Sequence, residues 1–141
     1  MMKMKGFYLS LVCHDDGDGI VGFEAVASNH RFAGEATWWG YVNDLESLSN
    51  KLAGFPRVHG DAVNLDFAEN CCLRLECIDS CGHITVTARL GAVNPAVSVD
   101  ESGQSVLLKF NTVPASIDFF VSNLKAFANR QVVEAVLEAT H

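Results

Sequence analysis

The stretch His14-Asp15-Asp16-Gly17-Asp18-Gly19-Ile20-Val21-Gly22 (HDDGDGIVG) admits three readings, and each belongs to a different fold. As an EF-hand loop it would need acids or amides at positions one, three and five, glycine at six and glutamate at twelve, because calcium closes its coordination with a bidentate carboxylate. Asp16, Asp18 and Gly19 match. However, His14 stands at position one, Ala25 stands at twelve and Glu24 comes one residue early. Gly17, Gly19 and Gly22 also spell Gly-x-Gly-x-x-Gly, which binds a dinucleotide only between a strand and a helix whose N-terminus receives the pyrophosphate. Here the flanks read as strands on both sides, so the stretch is an acidic hairpin turn.

Working outward from the turn, Phe7, Leu9, Leu11 and Cys13 alternate along Gly6 to Cys13, and Ile20 to Ser28 continues in extended style. A second turn at Asn29-His30 leads into a strand from Arg31 to Tyr41, completing a three-stranded meander. In that strand Phe32, Gly34, Ala36 and Trp38 share one face, and Glu35, Thr37, Trp39 and Tyr41 share the other. Asn43 followed by Glu46 has capping-box spacing. Leu45, Leu48 and Leu52 recur at helical intervals before Gly54 and Pro56, which predicts a short amphipathic helix. A second meander is expected from Ala62 to Phe67, Cys71 to Ile78, Ile84 to Leu90 and Ser105 to Phe110, with an extra short strand near Val97 to Val99. Pro114 opens a helix whose stripe is Ile117, Phe120, Val121, Leu124 and Phe127. The stripe then shifts to Val132, Val133, Val136 and Leu137, which predicts a kink or a second short helix. The fold class is therefore α+β, with antiparallel meanders of seven or eight strands, a middle helix and a C-terminal helix or helix pair.

The 141 residues suffice for one domain with one core, and 49% are hydrophobic against 19% charged. No run reaches the roughly 18 apolar residues of a membrane helix. Two lysines precede the apolar run Phe7 to Cys13 as in a secretory signal, but the run is short and acids replace a small-residue cleavage site. Five cysteines, an odd number loosely spaced, fit a reducing compartment, so a cytoplasmic protein is expected. A net charge of −7 and the absence of a Lys/Arg cluster along the chain argue against nucleic acid as a direct ligand. An acidic surface could instead attract a basic protein, or simply serve solubility.

Chemistry-bearing motifs are sparse. Cys71, Cys72, Cys77, Cys81 and His83 are enough zinc ligands on paper, yet only Cys77 and Cys81 have knuckle spacing. Cys72 faces away from Cys71 and Cys77 on a strand, so buried thiols are the better reading. There is no Gly-x-Ser-x-Gly nucleophile motif, and Cys81-Gly82-His83 are neighbours only in sequence. Neither a metal nor a cofactor is expected, and no catalytic residue is assigned. Trp38-Trp39 carries more information, because adjacent strand positions face opposite sides. With Trp38 inside beside Phe32, Trp39 joins Glu35, Thr37 and Tyr41. That second face is either a protein-binding hot spot or a second core layer under a helix.

One pattern extends over roughly residues 30 to 127. It begins with Phe32-x-Gly34, Trp38 and Asn43-Asp44-Leu45 opening a helix with Leu48 and Leu52, followed by Gly60 and Leu65. Cys72-Leu73-Arg74-Leu75 then leads into Gly82-His83-Ile84-Thr85-Val86 and Leu90, and a late helix carries Phe120 and Leu124. The pattern resembles the WapI-like immunity proteins. The resemblance implies a small bacterial cytoplasmic protein that binds and neutralises the toxin tip of a contact-delivered polymorphic toxin. It brings no catalytic motif and no toxin-contact residue.

The expected function is therefore non-enzymatic: steric and electrostatic occlusion of a cognate toxin domain, for which a basic nuclease is a natural target. The expected contact residues, chosen for exposure, are Asp15, Asp16, Asp18, Glu35, Trp39 and Tyr41, with Asp66 and Glu69 behind them. One alternative is a small-molecule-binding or enzymatic domain using some of Glu35, Asp66, Glu76, His83 or Arg89 in a pocket. Another is a structural protein forming homodimers through a strand edge or helix face.

Overall fold

The computed structural model describes residues 5–13, 19–92 and 104–140. Asp15, Asp16 and Asp18 of the acidic turn, and the expected strand near Val97 to Val99, lie outside the described residues.

The chain runs β1 (Gly6–Cys13), β2 (Ile20–Ser28), β3 (Ala33–Tyr41), α1 (Asp44–Leu52), β4 (Ala62–Ala68), β5 (Cys71–Cys77), β6 (Ile84–Gly91), β7 (Ser105–Thr112), α2 (Pro114–Ala128) and β8 (Glu134–Glu138). The strands form two antiparallel sheets, ordered β3-β2-β1-β8 and β4-β5-β6-β7. The hairpin reading of the opening stretch holds: β1 pairs with β2 from Gly6 opposite Ser28 to Cys13 opposite Gly22, with a bulge between Leu11 and Cys13. Among the described residues, no helix is long and apolar enough to cross a membrane.

Period-two patterning gives each sheet an apolar inner face. On the first, Leu137, Phe7, Ala27 and Gly34 lie in one row, and Ala135, Leu9, Ala25 and Ala36 in the next. On the second, Val63, Leu75, Val86 and Phe110 form a row beside Leu65, Leu73, Ala88 and Leu108. The two inner faces and the stripe of α2 share one core. Its centre is a circuit of aromatic rings. Phe120 of α2 meets Phe7 edge-on at 6.0 Å, and Phe7 stacks on Phe67 at 5.3 Å. Phe67 meets Trp38 at 6.3 Å, Trp38 stacks on Phe23 at 5.5 Å, and Phe23 returns to α2 through Phe127 at 5.8 Å. Each such pair contributes about 0.5–1.5 kcal/mol beyond the apolar area it buries.

Three expectations are corrected. Phe32 is not inside with Trp38 but 63% exposed, because β3 begins only at Ala33. Phe32 closes a tight turn in which the Asn29 N–H donates to the Phe32 carbonyl at 2.9 Å. The capping box at Asn43 does not form. Asn43 already has helical angles (φ −61, ψ −22), whereas a side-chain cap needs the extended backbone of a flanking residue. Gly54, at φ +81, takes the chain away from α1.

The third correction concerns the C-terminal segment. Val136 and Leu137 belong to a strand, and Val132 and Val133 to the connection before it, so there is neither a second helix nor a kinked continuation. Arg130 takes a left-handed conformation (φ 60), and Gln131 N–H donates to the Ala126 carbonyl while Arg130 N–H donates to Phe127, a Schellman closure that stops the helix. Beyond it, Ala135 and Leu137 are buried opposite Leu9 and Phe7, and Glu134 and Glu138 are exposed. Period two applies here because β1 would otherwise leave one edge unpaired.

Buried Asn70 joins the sheets. Its amide donates to the Thr37 carbonyl of β3 at 3.0 Å and to the Gly91 carbonyl of β6 at 3.1 Å. Asn70→Ala strands both acceptors and is expected to cost about 2 kcal/mol in urea unfolding. Phe7→Ala opens a cavity at the crossing of two ring contacts and should cost about 4 kcal/mol by the same measurement.

Candidate functional site

The opposite face of the first sheet carries the exposed aromatic residues. Positions with side chains directed away from the core are Tyr8 and Ser10 on β1, Ile20, Glu24 and Val26 on β2, Glu35, Thr37, Trp39 and Tyr41 on β3, and Glu134 and Val136 on β8. Trp39 is 66% exposed and Tyr41 50%, so no helix covers this face at β3, and the second-core-layer alternative is ruled out there. Trp38, one residue away, is half-buried against the core.

Gly22 has a particular role here. It pairs with Cys13 on one side and Trp39 on the other. A Cβ at Gly22 would come within 3.0 Å of Cys13 Cβ, so the close approach of β1 favours glycine here, and the Trp39 indole lies over the position at 3.6 Å, an ordinary contact distance. The Tyr41 ring packs in the same way beside Gly19, 3.6 Å from where a Cβ would stand. The aromatic pair is thus set beside both ends of the hairpin connection that carries the acidic turn.

Charge on this face has one sign. Glu24, Glu35 and Glu134 project from it, joined by Glu138, which pairs with Gly6 on the same side of β8 as Glu134, and no strand position on it holds lysine or arginine. Tyr8 donates its phenolic O–H to the Glu134 carboxylate. That hydrogen bond, then burial and the carboxylate's charge, push the Tyr8 pKa up to about 12. Glu134 and Glu24 were missed as site residues. Glu134 reaches this face only because β8 pairs with β1, which helical spacing of the C-terminal valines concealed. Glu24 was legible from strand alternation.

The structure does not gather every expected contact. Glu35, Trp39 and Tyr41 share the face just described. Asp66 lies on the outer face of the second sheet, in a row with Cys72, Arg89 and Leu107. Glu69 is exposed in the β4–β5 turn beside Asn70. The residues of the pocket alternative are likewise dispersed. Glu76 and Arg89 share the outer face of the second sheet with Asp66, Glu35 stands on the first, and His83 sits in the β5–β6 turn. His83 Nδ1 lies 2.6 Å from Asp79 Oδ2, and the hydrogen bond from His83 is the main cause holding the Asp79 carboxyl below its ordinary value.

A cleft of about 450 Å³ opens between the 54–59 loop, the β5–β6 turn and the start of α2, with Arg57, His59, Asp79, Cys81 and Asp118 among its walls. His83 is turned to Asp79 and does not line the cleft, so Cys81 and His83 form no nucleophile–base pair there. Cys71 is buried, and burial pushes its thiol up to about 12, opposite to the shift an activated thiolate requires. Among the described residues, no group of three or more His, Cys, Asp or Glu side chains could hold a metal ion.

The raised Tyr8 value gives a signed expectation. The folded protein holds the phenol neutral beyond its ordinary pKa of 10, so this contribution to stability is complete below about pH 10 and is lost as pH rises towards 12. Thermal unfolding followed across that range should show a smaller alkaline loss in Tyr8→Phe than in the parent protein.

Compared with known proteins, the chain matches no family model and no curated sequence.

Proposed function

We propose that this protein is a non-enzymatic immunity protein, which binds a cognate bacterial toxin domain through the outer face of its first sheet and occludes the toxin's active site. The observation that carries the reading is the exposed pair Trp39 and Tyr41, held on a sheet among carboxylates with no cation between them. Tryptophan and tyrosine supply large contact areas at little entropic cost, which is why they recur as interface hot spots. Four glutamates on the same face, Glu24, Glu35, Glu134 and Glu138, favour a basic partner and raise its association rate, and a nuclease domain that grips phosphates is basic for that purpose. The resemblance to WapI-like immunity proteins points the same way, with a cytoplasmic site of action. The acids Asp15, Asp16 and Asp18 fall between β1 and β2 in the sequence and would add to the acidic composition that favours a basic partner. Asp66 and Glu69 are not needed for this surface.

The test is capture of toxin C-terminal domains encoded beside this gene, scored by rescue of cells expressing the captured domain. Trp39→Ala and Tyr41→Ala should each weaken binding by about 10- to 100-fold, the range of hot-spot truncation, while thermal stability changes little because both side chains are exposed. Association should slow as salt is raised. Binding and rescue unaffected by the double variant would rule out this face.

A further inference from the structure

The cationic side chains of this acidic protein are not evenly spread. At the start of β3, the end remote from Tyr41, two adjoining cavities of about 360 and 330 Å³ share Lys5 and the turn Asn29, His30, Arg31 and Phe32. Lys109 of β7 completes the wall of the larger one. Lys5 and Arg31 therefore line both cavities together with the His30 imidazole, while Lys109 contributes the carbonyl that accepts from Asn29, its side chain standing in the outer row of the second sheet with Thr87 and Arg74. Among the described residues, neither cavity has an acidic side chain in its wall.

The surrounding backbone is stapled from several directions. Asn29 Oδ1 accepts from the N–H groups of Arg31 and Phe32, both at 2.8 Å, and Asn29 Nδ2 donates to the Lys109 carbonyl at 2.8 Å. One side chain thus shapes the turn and ties it to the other sheet. On the far wall, Ala139 N–H donates to the Lys5 carbonyl at 3.0 Å, and Thr140 N–H donates to the Asn111 carbonyl at 2.7 Å. The cations consequently stand on a pre-organised rim, and Phe32, 63% exposed, presents a flat apolar ring beside them. Leaving a phenylalanine outside the core and clustering like charges both oppose folding, and a ligand that is anionic at one end and planar at the other would offset both.

From this arrangement we infer a binding site for a nucleoside phosphate, with Arg31 and Lys5 taking the phosphate and Phe32 stacking on the base. Arginine's planar fork matches phosphate oxygens, lysine adds point charge, and aromatic faces accept any base. The concavity suits a small ligand, since pockets for small molecules begin near 300 Å³. Phe32 lies about 30 Å along β3 from Tyr41, at roughly 3.3 Å per strand residue, so the site is remote from the aromatic pair, although Glu35 of the proposed toxin-binding face stands three residues from Phe32.

Calorimetric titration of the full chain with ADP, inorganic phosphate and adenosine tests the assignment. ADP should bind more tightly than either fragment, and raised salt should weaken it. Arg31→Ala with Lys5→Ala should reduce ADP affinity at least tenfold, and Phe32→Ala should weaken ADP while leaving inorganic phosphate unchanged. Arg31→Gln, read against the same thermal-unfolding profile as the parent, replaces the double variant if that does not fold. Trp39→Ala should leave ADP binding intact, which keeps this result independent of the toxin reading. The inference is overturned by no ADP binding at millimolar concentration, by binding that the cation variants leave unchanged, or by a hexaglutamate peptide competing as well as ADP, which would make the patch an acidic-peptide site.

Discussion

Everything else in this molecule depends on the circuit of rings that passes from α2 through Phe7, Phe67, Trp38 and Phe23 and back to α2. Each sheet by itself is half-finished, with one apolar face that water would meet. The circuit gives both faces the same partner, because Phe120 and Phe127 lie two turns apart on one helix and reach β1 and β2 respectively. Phe67 then brings in the second sheet. Asn70 reinforces the join with directional bonds to β3 and β6, where apolar contact alone would permit sliding.

A rigid core allows the surface to be specialised, and here the specialisation is local. One outer face carries Trp39, Tyr41 and four glutamates, and the turn before β3 carries Phe32 beside Arg31 and Lys5. A net charge of −7 describes neither place. It is an average over a surface on which an acidic sheet face and a basic turn lie next to each other, Glu35 of β3 standing close to Arg31 in the chain. Long-range attraction of a basic protein and local capture of a phosphate are therefore compatible in one small domain.

Much of the fold was legible because period-two and period-3.6 patterns register burial directly. The seven strands from Gly6 to Thr112 and both helices fell within a few residues of their expected bounds, and the turn reading of the opening stretch followed from the strands on its flanks. Failures occurred where two periods fit the same residues. Val132, Val133, Val136 and Leu137 suit a helical stripe, while Ala135 and Leu137 suit a strand. What decided was the Schellman closure at Arg130 and the open edge of β1, neither of which is a property of those valines. Phe32 failed for a related reason, since alternation does not extend into the turn that Asn29 closes.

The sequence by itself determined the α+β class, the opposition of Trp38 and Trp39, and the face shared by Glu35, Thr37, Trp39 and Tyr41, because all of these follow from local backbone geometry. Only the tertiary structure decided which of that strand's faces is wet, that Glu134 joins it, and that Asp66 stands elsewhere. It also brought Lys5 to the turn that holds His30 and Arg31, residues that are apart along the chain and show no cluster when read in order. Burial and charge proximity are relations between segments. A strand carries its alternation with it, but which side meets water and which cations meet one another is set only when the two sheets close on α2.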